Sequence, residues 1–343
     1  MTLPINPPFP PMEAELVDEI PEGKKWQYEP KWDGFRCLVF RDGEQVKLQS
    51  KSGQPLERYF PEILDAFRQL KASKFIIDGE IAIPIEGKFS FDDLLQRIHP
   101  AQSRVLKLAR ETPAVFIAFD LLMEADGTLL TGQPLRLRRK RLERFARAQF
   151  QRGGSIRLSP VTTDASVAKR WFSRVGPDLD GIVAKQIDFP YASGKRAMQK
   201  VKRARTADCV VGGFRYAEKA KVVGSLLLGL YNDAGQLDHV GFCSGLTAAE
   251  RKRLVVQLED LIEPPGFTGR APGGLSRWST KRSMEWEPLR TQLVVEVSYD
   301  HFTGGRFRHG TRLLRWRPDK APSQCRMDQI ETTGAGSLAL LAA

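Results

Sequence analysis
The sequence predicts an α+β protein built in two parts, and three observations carry that. Over about the first 203 residues, strand-like apolar runs alternate with segments of helical period. A polar, basic tract, Lys202–Thr206, then interrupts the pattern as a candidate hinge. Beyond it short strand-like runs dominate, with one helical segment among them. A chain of 343 residues gives each part enough length for its own core. The expected division is 1–203, 204–330 and a small, apolar, frayed tail at 331–343.

Taken in order, residues 1–25 read as an extended lead-in punctuated by prolines. Phe35–Phe40 alternates as a strand. Arg41-Asp42-Gly43-Glu44 is a hairpin turn, and Val46, Leu48 and Ser50 mark the return strand. Pro61–Leu70 places Ile63, Leu64, Phe67 and Leu70 on one helical face. Phe75–Ile83 is a buried strand interrupted by two acids, Phe89–Ile98 a short helix, and Val115–Leu122 a buried strand with one acid. Pro134–Phe150 is a basic helix whose Arg138-Arg139-Lys140-Arg141 run reads as a solvated face. Asp164–Val175 is helical, and Asp180–Lys185 and Met198–Lys202 are short strands. In the second part, strands at Cys209–Phe214, Ser225–Tyr231, His239–Cys243 and Leu293–Ser298 surround a helix at Ala248–Leu261. That texture suits a small Greek-key barrel of the OB type.

Composition narrows the function. Charged residues at 27% and hydrophobic residues at 41% are ordinary, but a net charge of +12 is not, and it points to a polyanionic partner such as nucleic acid. No run of about 18 apolar residues suggests a membrane span. The four cysteines, Cys37, Cys209, Cys243 and Cys325, are scattered and have no zinc spacing, which suits a reducing cytosol.

The chemistry concentrates at Glu29-Pro30-Lys31-Trp32-Asp33-Gly34-Phe35-Arg36. A lysine beside a strand, enclosed by acids and an arginine, is a candidate covalent nucleophile. Gly34 lets the backbone turn tightly next to it. Lys31, Glu80, Asp120 and the pair Lys200/Lys202 are polar groups that core strands normally avoid. The two lysines of the pair share one side of their strand, because side chains alternate with a period of two. Convergence of these groups on one cleft would supply what phosphoryl transfer needs: cations for phosphates, carboxylates for a divalent metal, and a positioned nucleophile.

Lys31-x-Asp33-Gly34-x-Arg36 resembles the signature of the covalent nucleotidyltransferases. With Asp-Gly-Glu at 78–80, Phe-Asp-Leu-Leu at 119–122, Asp-Gly-Ile-Val-Ala-Lys at 180–185 and Lys-Val-Lys at 200–202, the chain from about Ile20 to Lys320 resembles an ATP-dependent DNA ligase of the short bacterial two-domain type. The resemblance implies an adenylation domain of antiparallel sheets flanked by helices, followed by an OB barrel. It implies that Lys31 becomes AMP-bound, with Asp33 and Arg36 in the same catalytic motif and Arg36 near ribose and phosphate. Glu29 would meet the adenine amino group, Glu80 the ribose hydroxyls, and Phe119 the adenine face. Lys185 would line the same cleft, and Lys200 and Lys202 would grip the α-phosphate. Asp180, with Glu80, would hold Mg²⁺ or Mn²⁺. Arg312, Arg315, Asp319 and Lys320 resemble the segment that orients the departing pyrophosphate.

Two positions depart from the family pattern. Lys51, in Ser50-Lys51-Ser52-Gly53, stands where an arginine is usual, so a point charge replaces a planar fork at a position implied to bind DNA. Asp180 stands where glutamate is usual, so the carboxylate arm is shorter. The implied activity is sealing of 5′-phosphate/3′-hydroxyl nicks in duplex DNA with ATP, by a monomer in the bacterial cytoplasm at the nucleoid, in DNA repair. An RNA ligase or an mRNA capping guanylyltransferase is the alternative. A non-catalytic nucleic-acid-binding protein would need only the charge.

Overall fold
The computed structural model describes residues 1–174, 179–202, 205–218, 220–273, 285–330 and 337–341. The chain divides into two compact units, Met1–Arg203 with Thr333–Ala343, and Ala204–Thr332. Arg203 and Ala204 of the expected hinge, and Val175 of an expected helix, lie outside the described residues.

The first unit runs β1 (Glu13–Leu16), β2 (Trp26–Trp32), β3 (Phe35–Asp42), β4 (Gln45–Ser50), α1 (Pro61–Arg68), β5 (Lys74–Ala82), β6 (Pro84–Ile85) and β7 (Lys88–Phe89). It continues with α2 (Phe91–Gln96), α3 (Gln102–Glu111), β8 (Val115–Met123), α4 (Leu135–Gln149), β9 (Ile156–Leu158), α5 (Ala165–Arg174), β10 (Leu179–Gln186) and β11 (Arg196–Lys202). The sequence reading lacked α3, whose apolar stripe is thin: Val105 is its buried residue.

Two main sheets result, ordered β4-β3-β5-β8-β9 and β1-β11-β10-β2, beside the two-stranded pair β6-β7. The larger buries one face under α1 and α4, with Val39, Phe67, Phe75, Phe116 and Phe145 in one cluster. Its other face packs Leu38, Phe40, Ile76 and Leu122 against Leu3, Met12 and Tyr191, so the proline-rich lead-in contributes to a core. In the smaller sheet the apolar residues of β2 and β10, including Trp26, Tyr28, Ile182 and Ala184, pack against Ala168 and Trp171 of α5. The period of two then turns Gln27, Glu29 and Lys31 to the opposite face. Within the tail, Ser337–Leu341 forms a 3₁₀ helix whose Leu338, Leu340 and Leu341 pack near Trp32 and Phe89.

The second unit runs β12 (Arg205–Ala217), β13 (Ala220–Tyr231), β14 (Leu237–Cys243), α6 (Ala248–Glu259), β15 (Glu287–Pro288), β16 (Val294–Tyr299), β17 (Phe302–Thr303), β18 (Arg306–Phe307) and β19 (Arg312–Trp316). Its main sheet is ordered β14-β13-β12-β16-β19. Thr311, just before β19, donates its N–H to the Phe242 carbonyl at 3.0 Å. That contact joins the two ends of the sheet, which curls into an OB-like barrel around Val210, Phe214, Leu228 and Val295. A capping box of Thr247 and Glu250 starts α6.

The arginine run of α4 is a solvated face only in part: Lys140 is exposed and Arg141 half-buried, but its first two arginines turn inward. Arg138 is fully buried and Arg139 nearly so. Arg138 forks onto both Asp120 oxygens at 2.9 and 3.0 Å and also donates to the Gln133 and Phe189 carbonyls. Asp120 is therefore the buried partner of a helix arginine rather than a member of a catalytic cleft. Burying one such charge alone is costly, so the strand acid and the helix arginine must come together. Asp120→Ala should destabilise the protein by about 3–5 kcal/mol, the cost of stranding a buried charge. The urea midpoint should fall accordingly, and much less in the double replacement Asp120→Leu/Arg138→Met.

Candidate active site
The polar face of β2 sets the site. Antiparallel register with β10 pairs Gln27 with Lys185, Glu29 with Val183 and Lys31 with Gly181. On the far side of β10, Val183 pairs with Lys200 and Gly181 with Lys202. One face of three strands therefore carries Gln27, Glu29, Lys31, Lys185, Lys200 and Lys202.

Asp180 would point away from this face if the strand were regular. The ladder slips between Leu179 and Gly181, however, so three residues of β10 oppose two of β2. The bulge turns Asp180 back toward Lys31. Gly181 permits it: its φ is +149°, and a Cβ there would lie 1.9 Å from the Val201 carbonyl oxygen. The Lys31 ammonium donates to the Asp180 carboxylate, and the Lys202 ammonium lies 3.4 Å from the same oxygen. The Asp33 and Asp180 carboxylate oxygens come within 4.8 Å of each other, which makes them a pair of hard oxygen donors beside the lysine.

The larger sheet brings the rest. β2 turns into β3 at Gly34, where a Cβ would meet the Ile81 carbonyl oxygen at 2.2 Å, so only glycine lets the turn lie against β5. Arg36 is paired across β3–β5 with Glu80. Its Nε and Nη2 donate to the two Asp78 oxygens at 2.6 Å each. Burial opposes the charge on Arg36, but Asp78 outweighs it and holds the guanidinium protonated above its ordinary range. The Tyr191 hydroxyl donates to Asp78 at 2.6 Å and accepts from the Met12 N–H at 3.1 Å. Two cations lie over the Phe119 ring, Arg36 at 4.5 Å and Lys185 at 4.7 Å from its centroid.

Glu29, Lys31, Arg36, Lys51, Glu80, Phe119, Lys185 and Lys200 all line one cavity, joined by Met12 and Glu13 from the lead-in. Asp33, Asp180 and Lys202 lie outside that lining, although Asp180 meets both Lys31, which lines it, and Lys202. Lys51 is exposed and pairs with Glu13 at 3.0 Å. The hydrogen bond from Lys51 holds the Glu13 carboxyl below its usual range. Burial, then Lys31, Lys202 and Lys51, lower the Lys200 ammonium.

In the second unit, Arg312 is exposed on β19. Arg315 donates to Glu296 at 2.6 Å, and Lys320 to Asp208 at 2.7 Å. Arg317 joins this group: it donates to both oxygens of Asp208, at 2.9 and 3.1 Å, and of Asp319. Its bond lowers the Asp319 carboxyl below its usual range.

The sequence reading missed Gln27, Asp78, Tyr191 and Arg317. Two signals were available. Gln27 stands at period two from Glu29 and Lys31, and Asp78 is the second acid of a buried strand. Tyr191 gave no such signal, because its partner Asp78 is 113 residues away, and Arg317 has Asp319 two residues on but its other partner, Asp208, 109 residues away.

The ATP dependent DNA ligase domain family matches residues 11–202, and the ATP dependent DNA ligase C terminal region matches residues 219–320. DNA ligase C1 of Mycolicibacterium smegmatis is 45% identical over 343 residues, covering 97% of this chain and 96% of that protein. DNA ligase C of Mycobacterium tuberculosis is 44% identical over 346 residues, covering 96% of each. Among solved structures, one of the Lig E DNA ligases aligns with a TM-score of 0.53 at 17% identity, over 89% of this chain and 99% of that one, a likeness of fold.

Burial raises the Glu80 carboxyl to about 8, against the pull of Arg36 and Lys31. From its ordinary value of 4.5 up to about 8, the folded protein thus holds a proton that the unfolded chain releases. The stability from Glu80 is full below 4.5 and is lost as pH rises through about 8. Thermal unfolding across that window should show a decline in Tm with pH that is smaller in Glu80→Gln.

Proposed function
The chain belongs to the ATP-dependent DNA ligases, and on that premise we propose that Lys31 is its covalent nucleotide carrier in the sealing of nicked duplex DNA. The observation that carries this reading is the shared strand face, which puts Lys31, Lys200 and Glu29 into one cavity with Arg36, Glu80 and Phe119.

In the first step the Lys31 Nζ attacks the α-phosphorus of ATP. Nζ first releases one ammonium proton to solvent, which frees its lone pair; a P–N bond then forms, the P–O bond to pyrophosphate breaks, and a second proton leaves nitrogen for solvent. Lys200 and Lys202 hold the α-phosphate, and Arg36, fixed by Asp78, reaches the ribose side. Glu29 receives the adenine amino group, and Glu80 receives the ribose hydroxyls. The purine stacks on Phe119 by displacing one of the cations over that ring. The AMP then passes to the 5′-phosphate of the nick, and the 3′-hydroxyl displaces it to close the strand. Lys51 contributes a point charge toward DNA phosphate.

Asp180 and Asp33 suit a divalent cation. Their oxygens are hard donors, and Asp180 loses the Lys31 charge once the lysine becomes a neutral phosphoramidate. Glu80, set in the buried cavity wall, is the third candidate donor. A bound Mg²⁺ or Mn²⁺ would neutralise charge developing on the transferring phosphoryl group. Arg312, Arg315, Asp319 and Lys320 act on the departing pyrophosphate, with Arg317 holding Asp319 in place. The enzyme works as a monomer, and its net charge of +12 supplies much of its grip on duplex DNA. No helix among the described residues is long and apolar enough to cross a membrane, and we place the enzyme at the bacterial nucleoid, where its substrate lies.

Lys31→Ala should form no lysyl-AMP from α-labelled ATP, seen on a denaturing gel, and should seal no nick from ATP. It should still close a nick already carrying AMP, because that step needs no enzyme-bound nucleotide. Normal labelling of the variant would remove Lys31 from the mechanism.

The second-unit segment is separable kinetically. Asp319→Ala should slow lysyl-AMP formation by orders of magnitude and spare closure of the pre-adenylated nick. Arg317→Ala should reproduce that pattern, because the same carboxylate loses its anchor. Equal loss in both steps, tracking DNA affinity, would make the segment a DNA contact instead.

A further inference from the structure
Glu29 and Lys185 line the cavity, and Gln27, outside that lining, completes a buried trio with them. Glu29 is 2% exposed, and Gln27 and Lys185 are each 4% exposed. Gln27 Nε2 donates to Glu29 Oε1 at 2.9 Å, and Lys185 Nζ donates to Oε2 at 2.8 Å. The amide orientation of Gln27 follows from chemistry, since an ionised carboxylate only accepts. Val183, directly across from Glu29, is apolar and offers it nothing. The carboxylate is thus pinned at both oxygens by groups on either side, and its plane cannot turn about the last side-chain torsion without breaking a bond. Each oxygen keeps a second lone pair.

We infer that Gln27 is a positioning residue that sets the choice of ATP over GTP. The inference rests on the reading above that Glu29 meets the adenine amino group. Adenine presents an N–H donor at its 6-position, and guanine presents a carbonyl acceptor there. A carboxylate locked in plane accepts from the first and repels the second. Lys185 and the Gln27 amide are the donors of the trio that could meet a guanine carbonyl, and each is engaged by Glu29. With Gln27 lost, Oε1 has no partner on that side. The carboxylate then turns toward Lys185, its acceptor direction leaves the purine edge, and discrimination falls. A site that aims a buried polar group at its ligand rejects the mismatched ligand because that group is left unpaired.

The experiment measures lysyl-nucleotide formation from ATP, GTP and purine riboside triphosphate, which has hydrogen at the 6-position. Wild-type protein should favour ATP strongly over both. Gln27→Leu, of similar bulk but with no donor, should raise KM for ATP and lower the ATP-to-GTP ratio of kcat/KM at least tenfold. It should also narrow the gap between ATP and purine riboside triphosphate. A general loss of fold would lower all three together and leave the ratios unchanged, and unchanged ratios overturn the inference. Should Gln27→Leu not fold, Gln27→Asn, which draws the amide back by one methylene, is read in the same way. The two layers fail separately. Wild-type protein that labels equally from ATP and purine riboside triphosphate removes the Glu29 contact and this inference with it. Wild-type discrimination that survives in the Gln27 variants removes only the role of Gln27.

Discussion
An ammonium and a carboxylate, Lys31 and Asp180, meet because a strand carries one residue too many. The residue before Gly181 belongs by alternation to the face that packs on α5. The β10 bulge hands it to the opposite face, and the steric demand at Gly181 leaves no room for any side chain there. The lysine end of that face depends on this placement. Asp180 is the carboxylate that Lys31 and Lys202 share, in a site where burial and then the neighbouring lysines already lower Lys200. The bulge also bears on the shorter arm at this position. It brings the backbone's extra residue onto the lysine face, so an aspartate reaches Lys31.

Charge in this site is arranged for a ligand. Lys31, Lys51, Lys200 and Lys202 gather at one cavity and its rim, and Asp180 and Glu13 offset only part of that charge. Mutual repulsion among lysines is a cost in the free protein that a bound polyphosphate would relieve. Glu80 shows the complementary bias. Burial pushes its carboxyl up to about 8, so the free protein holds less negative charge there than an ordinary glutamate would carry. The acids that do stay paired are those held by a cation: Asp78 by Arg36, and Glu29 by Lys185. The site thus combines fixed, neutralised pairs at Arg36 and Glu29 with a cluster of lysines around Lys31 and Lys200.

How much of this was legible in the sequence depended on whether a residue's partner lay nearby in register. The period of two put Lys200 and Lys202 on one side and could equally have placed Gln27 beside Glu29 and Lys31. The spacing of Lys31, Asp33, Gly34 and Arg36 located the turn that brings β3 beside the lysine. Strand acids were harder. Glu80 and Asp120 look alike as single carboxylates in apolar runs, yet one faces the cavity and the other is locked to Arg138. The difference lies in a helix arginine 18 residues away, and charge runs on helices are ordinarily solvated. Tyr191 and Asp78 are 113 residues apart, and only the packing of the lead-in over the larger sheet brings them together. Periodicity reports which face a residue occupies; it does not report what covers that face.

The second unit makes the same point with exposed charges. Read in sequence, Arg312 to Lys320 is a dense, basic strand end. In three dimensions most of its cations are committed: Arg315 to Glu296, Arg317 to Asp208 and Asp319, and Lys320 to Asp208. Asp208 comes from β12 and Glu296 from β16, so the segment is fastened to two barrel strands before it meets any ligand. A loosely held cluster of cations would bind phosphate wherever it found it, on DNA or on nucleotide. A fastened one presents a fixed geometry, in which Asp319 is oriented by the Arg317 fork and Arg312 stays exposed at the other end. Rigid presentation of mixed charges is what orienting a leaving group demands, and it distinguishes this edge from the diffuse basic surface that a net charge of +12 alone would provide.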